Sequence, residues 1–375
     1  MPNHFRIAAI PGDGIGPEVL SAGMDALNTA SESTGDCTLQ FEVFDWGTDY
    51  YLNNGRMMPP DALEILKQFD AIYLGAIGDP RVPDHISLQS LLEIRKGFDQ
   101  YINLRPVRLL PGVEPMTKVK PGSVVDLVVI RENTEGEYCT SGGRFRQGTP
   151  DEVVVQNAIF TRKGTERTMR YAFDLAMKRS HTAEKRNGGP RPMVTDCTKS
   201  NALVYSMVFW DEVYDQVAQE YPEVHRDKAL VDALTLWLVQ RPEYYDVIVA
   251  SNLFGDIITD LCAAIQGGLG MAASGNINPE RTWPSMFEPV HGSAPNLRPG
   301  QANPIATIWA GSLMLSHLGE EATAQLILSA IEDTLSQDGP KTADLGGNAS
   351  TSEVLGAVKS NIVRLAHCTK ETEAN

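Results

Sequence analysis

The feature that most limits the fold is the alternation of short apolar runs with amphipathic stretches along almost the whole chain. Strand-like runs fall at Phe5–Ile10, Leu39–Phe44, Ala71–Leu74, Val124–Ile130, Val153–Phe160, Met193–Thr195 and Val247–Ala250. Stretches with helical periodicity lie between them, at Pro60–Gln68, Leu88–Lys96, Lys163–Lys178, Tyr205–Glu220, Asp256–Ile265, Pro304–Leu318 and Glu321–Leu335. Such alternation predicts an α/β architecture and argues against a sandwich or a helical bundle. At 375 residues the chain is long enough for two domains and a sizeable core. His181–Arg191 is polar and glycine-bearing and reads as a surface connection; Cys368–Asn375 reads as a polar tail.

The charge balance narrows the partners. Lys and Arg number 32 and Asp and Glu 48, a net charge of −16. That field disfavours nucleic acid and anionic membranes, and an anionic substrate would need a local pocket of arginines. No apolar stretch is long enough to span a bilayer. The five cysteines are scattered and form no Cys-x-x-Cys pair, which fits a reduced, cytoplasmic setting and no zinc site. The N-terminal residues run straight into a strand without a signal-type apolar region.

Pro11-Gly-Asp-Gly-Ile-Gly16 precedes Pro17-Glu18, a proline and an acid suited to a helix start. The spacing is not Gly-x-Gly-x-x-Gly, so a Rossmann cofactor site is not expected there. A tight turn before a helix explains the glycines equally well.

Candidate chemistry gathers at the ends of strands. After Val247–Ala250 the chain reads Ser-Asn-Leu-Phe-Gly-Asp256-Ile-Ile-Thr-Asp260. Two aspartates four residues apart share one helix face, where they suit a hard divalent cation. A capping role for Asp256 and a solvated Asp260 explain the segment too. Arg95, Arg105 and Arg131 are guanidinium groups able to hold a small dicarboxylate by paired, charge-assisted bonds, or to serve as structural ion pairs. Tyr138 carries a phenol able to pass a proton. Lys199 would act as a base only if its surroundings lower its affinity for protons. Asp232, in an apolar run, calls for a partner or a metal. Glu288-Pro-Val-His291-Gly-Ser-Ala-Pro-Asn296 is a small-residue loop with open backbone amides; Asn303-Pro304 then opens a helix, asparagine as cap.

Taken in order, these segments resemble the β-decarboxylating dehydrogenases, the family of isopropylmalate and isocitrate dehydrogenases. The resemblance spans about residues 5–335 and rests on Gly12–Glu18, Leu91–Arg95, Asn103–Pro106, Arg131–Asn133, Tyr138, Lys199–Asn201, Asp232, Asn252–Asp256 with Asp260, and Glu288–Pro295. Val82–Leu88, Arg131–Tyr138 and Asn278–Ser285 look most similar to the tartrate and D-malate dehydrogenase branch. The resemblance implies a two-domain, isopropylmalate dehydrogenase-like fold on a long mixed sheet, with a non-Rossmann cofactor site. Residues 1–105 and 268–375 would form the first domain and 106–267 the second, with an arm near 139–157 clasping a partner in a homodimer. It implies Mg²⁺ or Mn²⁺ held by Asp232, Asp256 and Asp260, and catalysis by Tyr138 and Lys199 with Asp232. It assigns the substrate to Arg95, Arg105, Arg131, Ser90 and Leu91. NAD would meet Glu288, His291, Gly292, Ser293, Ala294, Asn296 and Asn303, and Lys199 and Asp232 would reach into the partner's site.

The implied reaction is oxidative decarboxylation of a small 2-hydroxy diacid of the D-malate or tartrate type. Gln89-Ser90 stands where that branch carries Trp-Gly, and Asn296 where NAD-specific members carry aspartate; the first bears on the substrate, the second on the choice between NAD and NADP. A bulkier alkyl-malate such as 3-isopropylmalate, or a biosynthetic intermediate, is the alternative substrate, since Leu91 and Leu92 could face an alkyl group. A non-catalytic regulatory subunit is a third reading, opposed by the presence of every candidate catalytic residue.

Overall fold

The computed structural model describes residues 2–117, 119–120, 122–180, 188–336 and 339–373. Most of the expected His181–Arg191 connection lies outside them. In chain order the elements are β1 (Asn3–Gly12), α1 (Gly16–Thr34), β2 (Cys37–Val43), α2 (Thr48–Asn54), α3 (Ala62–Leu66), β3 (Ala71–Ala76), α4 (Asp84–Gly97), β4 (Ile102–Arg108), β5 (Asp126–Glu132), β6 (Gly142–Phe145), β7 (Val153–Gln156), α5 (Arg162–Arg179), β8 (Met193–Thr198), α6 (Ser206–Ala218), β9 (His225–Leu230), α7 (Val231–Gln240), β10 (Val247–Ala250), α8 (Asn252–Ile265), β11 (Ala273–Ile277), β12 (Ser285–Pro289), α9 (Ile305–Leu318), α10 (Glu321–Ser336) and α11 (Thr351–Glu373). Cys368–Asn375 is therefore no loose tail as far as Glu373, because α11 runs through it.

The chain divides into two compact units: residues 1–100, 108–116 and 263–375 form the first, and residues 101–107 and 117–262 the second. Unit 1 orders its strands β2-β1-β3-β12-β11. All pair in parallel except β11 with β12, so the sheet is mixed. In unit 2 the order is β4-β5-β10-β8-β9, and β5, β10, β8 and β9 are parallel. Parallel strands are covered on both faces and lose the polar–apolar alternation. Accordingly β3, β8 and β10 are buried at every residue. A separate antiparallel hairpin joins β6 to β7.

The glycine loop is a turn filled by the protein itself. Gly12 and Gly14 have φ of +70° and +57°. A Cβ on Gly12 would meet the Ala76 carbonyl oxygen at 1.9 Å, and one on Gly14 the Ser293 carbonyl oxygen at 2.1 Å. Asp13 clamps the turn, accepting from Thr48 N at 2.8 Å and from Gly78 N at 2.8 Å. The glycines thus serve a tight turn packed against β3 and the loop after β12. Among the described residues no helix is long and apolar enough to cross a membrane.

Candidate active site

In unit 2 the candidate residues converge on one carboxylate. Helix α8 begins at Asn252, four residues before the expected Asp256. Asp256 and Asp260 therefore occupy inner turns, and Asp256 is no cap. Asp256 Oδ1 takes Nη1 of Arg131 and, at 3.3 Å, Nη2 of Arg105; its Oδ2 accepts the Tyr138 hydroxyl at 2.7 Å. The Arg131 guanidinium also lies over the Tyr138 ring, 5.3 Å from its centroid. Arg131 is buried, and a buried cation must be paired. Asn252 Oδ1 accepts from its Nε at 3.0 Å and Nη2 at 2.7 Å. Arg105 is held likewise, its Nε by Asn103 Oδ1 at 2.7 Å and its Nη1 by the Thr259 hydroxyl. Gly255 makes room for the arrangement: a Cβ there would meet Arg131 Cβ at 2.6 Å and Cγ at 2.7 Å.

Asp260 has no hydrogen bond or ion pair among the described residues. Crowding by the protein raises its carboxyl above the usual range, Arg105 opposes the rise, Asp256 adds to it and Arg131 opposes it. An unpartnered carboxylate one helical turn from Asp256 is what a hard cation would use.

Lys199 follows β8 and Asp232 lies in the first turn of α7, and Lys199 Nζ donates to Asp232 Oδ1 at 2.8 Å. The ammonium holds the Asp232 carboxyl below its ordinary range. Asp232 thus has a partner, and its side chain is 66% exposed. Helix α7 buries Leu234 and Leu238 and turns Asp232 and Leu236 outward. Among the described residues no group of three or more His, Cys, Asp or Glu is placed to hold a metal.

Unit 1 carries the remaining candidates. Arg95 Nη2 donates to Glu288 Oε1 at 2.9 Å, and both side chains are buried. Asn276 Nδ2 donates to the same oxygen at 2.7 Å, so Glu288 acts here as the anchor of Arg95. Ser90 is buried and donates to the Ser87 carbonyl at 3.0 Å, while Leu91 packs against the core around Ile94, Phe98 and Met286. An alkyl-binding surface on Leu91 is therefore not favoured. On α4 it is Leu88, 37% exposed, whose apolar side chain is open to solvent.

The loop after β12 borders a cavity of about 380 Å³ lined by Ile15, Leu269, His291, Ala294, Leu297, Asn303 and Asp344, among others. His291 Nδ1 lies 3.0 Å from the Gly292 carbonyl, while its Nε2 is buried without a partner. Burial lowers the proton affinity of His291, so the ring is neutral near pH 7 and offers Nε2 as an acceptor. Asn303 Nδ2 donates to Asp344 Oδ2 at 3.0 Å and its Oδ1 accepts from Ile305 N at 3.0 Å. The helix starts at Ile305, one residue later than expected, with Pro304 in the capping position. Gly292, Ser293 and Ala294 also line a neighbouring open cleft with Ile77 and Gly78. Asn296 is exposed and stands outside the walls of the 380 Å³ cavity.

Residues 6–358 match the protein family described as isocitrate/isopropylmalate dehydrogenase. The chain belongs to this family. It is 52% identical over 374 residues to the D-malate dehydrogenase [decarboxylating] of Escherichia coli (strain K12), covering 97% of this chain and 100% of that protein. It is 50% identical over 376 residues to the tartrate dehydrogenase/decarboxylase of Pseudomonas putida, covering 97% and 100%. The crystal structure of isocitrate dehydrogenase from Methylococcus capsulatus superposes with a TM-score of 0.83 at 32% identity, covering 96% of this chain and 99% of that one. In this isocitrate/isopropylmalate dehydrogenase family member, sequence reasoning gave no role to Asn103, Asn252, Gly255, Thr259 or Asp344. The first four hold or admit the two arginines and the fifth faces the cavity. Asn103 and Asn252 flank motif residues, which is a usable signal; Asp344 stands alone in sequence.

Proposed function

We propose that this chain oxidatively decarboxylates a small 2-hydroxy diacid of the D-malate or tartrate type, with NAD as oxidant and Mg²⁺ or Mn²⁺ as metal. The observation that carries the reading is the meeting of Tyr138, Arg105 and Arg131 at Asp256. Relatives with D-malate and tartrate in their names, alike over nearly their full length, point to the same substrate class.

The residues fit both groups. The unpartnered Asp260 and its neighbour Asp256 suit a hard cation, with Asp232 of a second copy as the further ligand. The orphaned Nε2 of His291, with Asn303 and the amides of 292–294, suits the adenosine half of a dinucleotide; Asn296 and Glu288 complete the set that the family resemblance assigns to NAD. When bound, the metal would supply Lewis acidity at the oxygen of the substrate's 2-hydroxyl group and NAD would supply the hydride acceptor. Lys199 takes the hydroxyl proton, directly or through water. Arg105 and Arg131 fix substrate carboxylate, and Arg95, held by Glu288, is the third guanidinium assigned to substrate. As CO₂ leaves, Tyr138 gives its proton to the carbon left behind. The products are a 2-keto acid, CO₂ and NADH.

The same reading makes the chain a homodimer with shared sites. Unit 2 exposes Tyr205 (90%), Val204, Leu236 and Ile257, and the β6–β7 hairpin exposes Phe145 and Val153–Val155. A two-stranded hairpin is marginal alone, and exposed apolar side chains gain from burial against a second copy, which supports the reading.

The test is kcat/KM for D-malate, tartrate, 3-isopropylmalate and isocitrate, with Mn²⁺ and with NAD or NADP. D-malate or tartrate should lead. Turnover of an alkyl-malate alone, or of none of the four, would overturn the proposal.

A further inference from the structure

Inside unit 2 two carboxyl oxygens are left without a donor. Asp196 lies within β8 and is fully buried. Its Oδ1 accepts the Trp210 indole N–H at 2.8 Å. Asp211, the next residue on α6, is in hydrogen-bonding contact with Asp196. Lys228 Nζ donates to Asp211 Oδ2. Asp196 Oδ2 and Asp211 Oδ1 remain buried with no hydrogen-bond partner. A proton on Asp196 Oδ2, donated to Asp211 Oδ1, removes both orphans.

We propose that Asp196 is a carboxylic acid at neutral pH that donates from Oδ2 to Asp211 Oδ1, and that this hydrogen bond makes the two positioning residues for Lys199 and Asp232. The part concerning Lys199 and Asp232 rests on the proposed function; the proton on Asp196 does not. Asp196 precedes Lys199 by three residues on β8, and its register partner Lys228 precedes Asp232 by four on β9. Helix α6 returns from Lys199 to bring Trp210 and Asp211 onto the same spot. One proton thus ties together the three elements that deliver the Lys199–Asp232 pair.

The surroundings agree. Burial first, then the charge of Asp211, push the Asp196 carboxyl well above the usual carboxylate range. Tyr214 and Asp211 face it from α6 and Lys228 from β9, Cys197 adjoins it on β8, and Asp227 lies on the opposite face of the sheet, bonded to Thr195. Its partner on β10 is Val249, which does not titrate. A carboxyl raised on folding adds stability that is complete below its unfolded value, about pH 4, and lost as pH rises through its folded value. The structure should therefore loosen on the alkaline side.

Asp196→Asn tests this, because an amide can donate to Asp211 permanently while still accepting from Trp210. Infrared spectra of the wild type at pH 7 should show a buried carboxylic-acid C=O band that is lost in Asp196→Asn and shifted in frequency in Asp211→Asn, where its acceptor changes. The wild-type Tm should fall with rising pH more steeply than that of Asp196→Asn. The alkaline limb of the kcat profile should move up by about one pH unit in Asp196→Asn, relative to its own maximum. No such band, or parallel Tm profiles, would overturn the proton on Asp196. A band with an unmoved limb would overturn the positioning role. Absence of turnover with every diacid would sink the proposed function and leave the infrared and Tm results to decide the proton.

Discussion

Asp256 meets two guanidinium groups and a phenol while carrying one negative charge. Asp256→Asn keeps the shape and removes the charge, so Mn²⁺ affinity should fall by at least about tenfold. Calorimetric titration with Mn²⁺ checks this, and unchanged affinity would remove Asp256 from the metal site. Tyr138→Phe deletes the proton that now goes to Asp256 Oδ2. Supplied with the 2-keto diacid, this variant should release CO₂ about 10²–10⁴-fold more slowly. An unimpaired rate would show that Tyr138 is not the donor. Glu288→Gln probes the buried pair of unit 1. Leaving Arg95 buried without its counter-charge should cost about 3–5 kcal/mol, read as a lower urea midpoint. A midpoint within experimental error of the wild type would show that the charge of Glu288 is not needed to hold Arg95 in place.

At the scale of elements, α8 shows how backbone and side chains share a task. Gly255 lies against the Arg131 stem, and Gly255→Ala would push that stem aside. The fold should persist, since only a side chain must shift, while KM for the diacid rises; an unchanged KM would show that Arg131 can retreat without leaving its substrate position. The sequence reading located α5, α6, α9 and α10 and most parallel strands, because long amphipathic stretches and short apolar runs carry their own periodicity. It missed the strands whose composition is set by something else. Strand β9 is an edge strand reading His-Arg-Asp-Lys-Ala-Leu, β4 contains Pro106 and the buried Arg105, and β11 is built of small and polar residues. It missed α11 because that helix buries one narrow row, Val354, Val358, Ile362 and Ala366, in an otherwise polar stretch. At the site, the arginines, tyrosine and aspartates were legible as residue types suited to chemistry. What Asp256 touches was not, since Tyr138 and Arg131 lie more than a hundred residues away in sequence. Asp232 lies exposed although its run is apolar, because an apolar helix still has an outer face.

For the whole molecule, the exposed hairpin gives a direct test of assembly. Val154→Asp should shift the protein toward monomers by light scattering, and those monomers should lose activity as Lys199 and Asp232 are withheld from a neighbour. Monomers with full activity would refute the shared site. The division of the chain has a consequence for the order in which it can fold. Unit 1 is built from the beginning and the end of the sequence, with unit 2 between them. Helix α1 buries Val19, Leu20, Ala26 and Leu27 and packs against α9, α10 and α11. During synthesis at roughly 5–20 residues per second, α11 emerges about 15–60 s after α1. Unit 2 is complete well before that. The apolar stripe of α1 must therefore wait without its cover while the later half of the protein is made. A nascent chain halted before α9 would present that stripe to any chaperone or to another nascent chain.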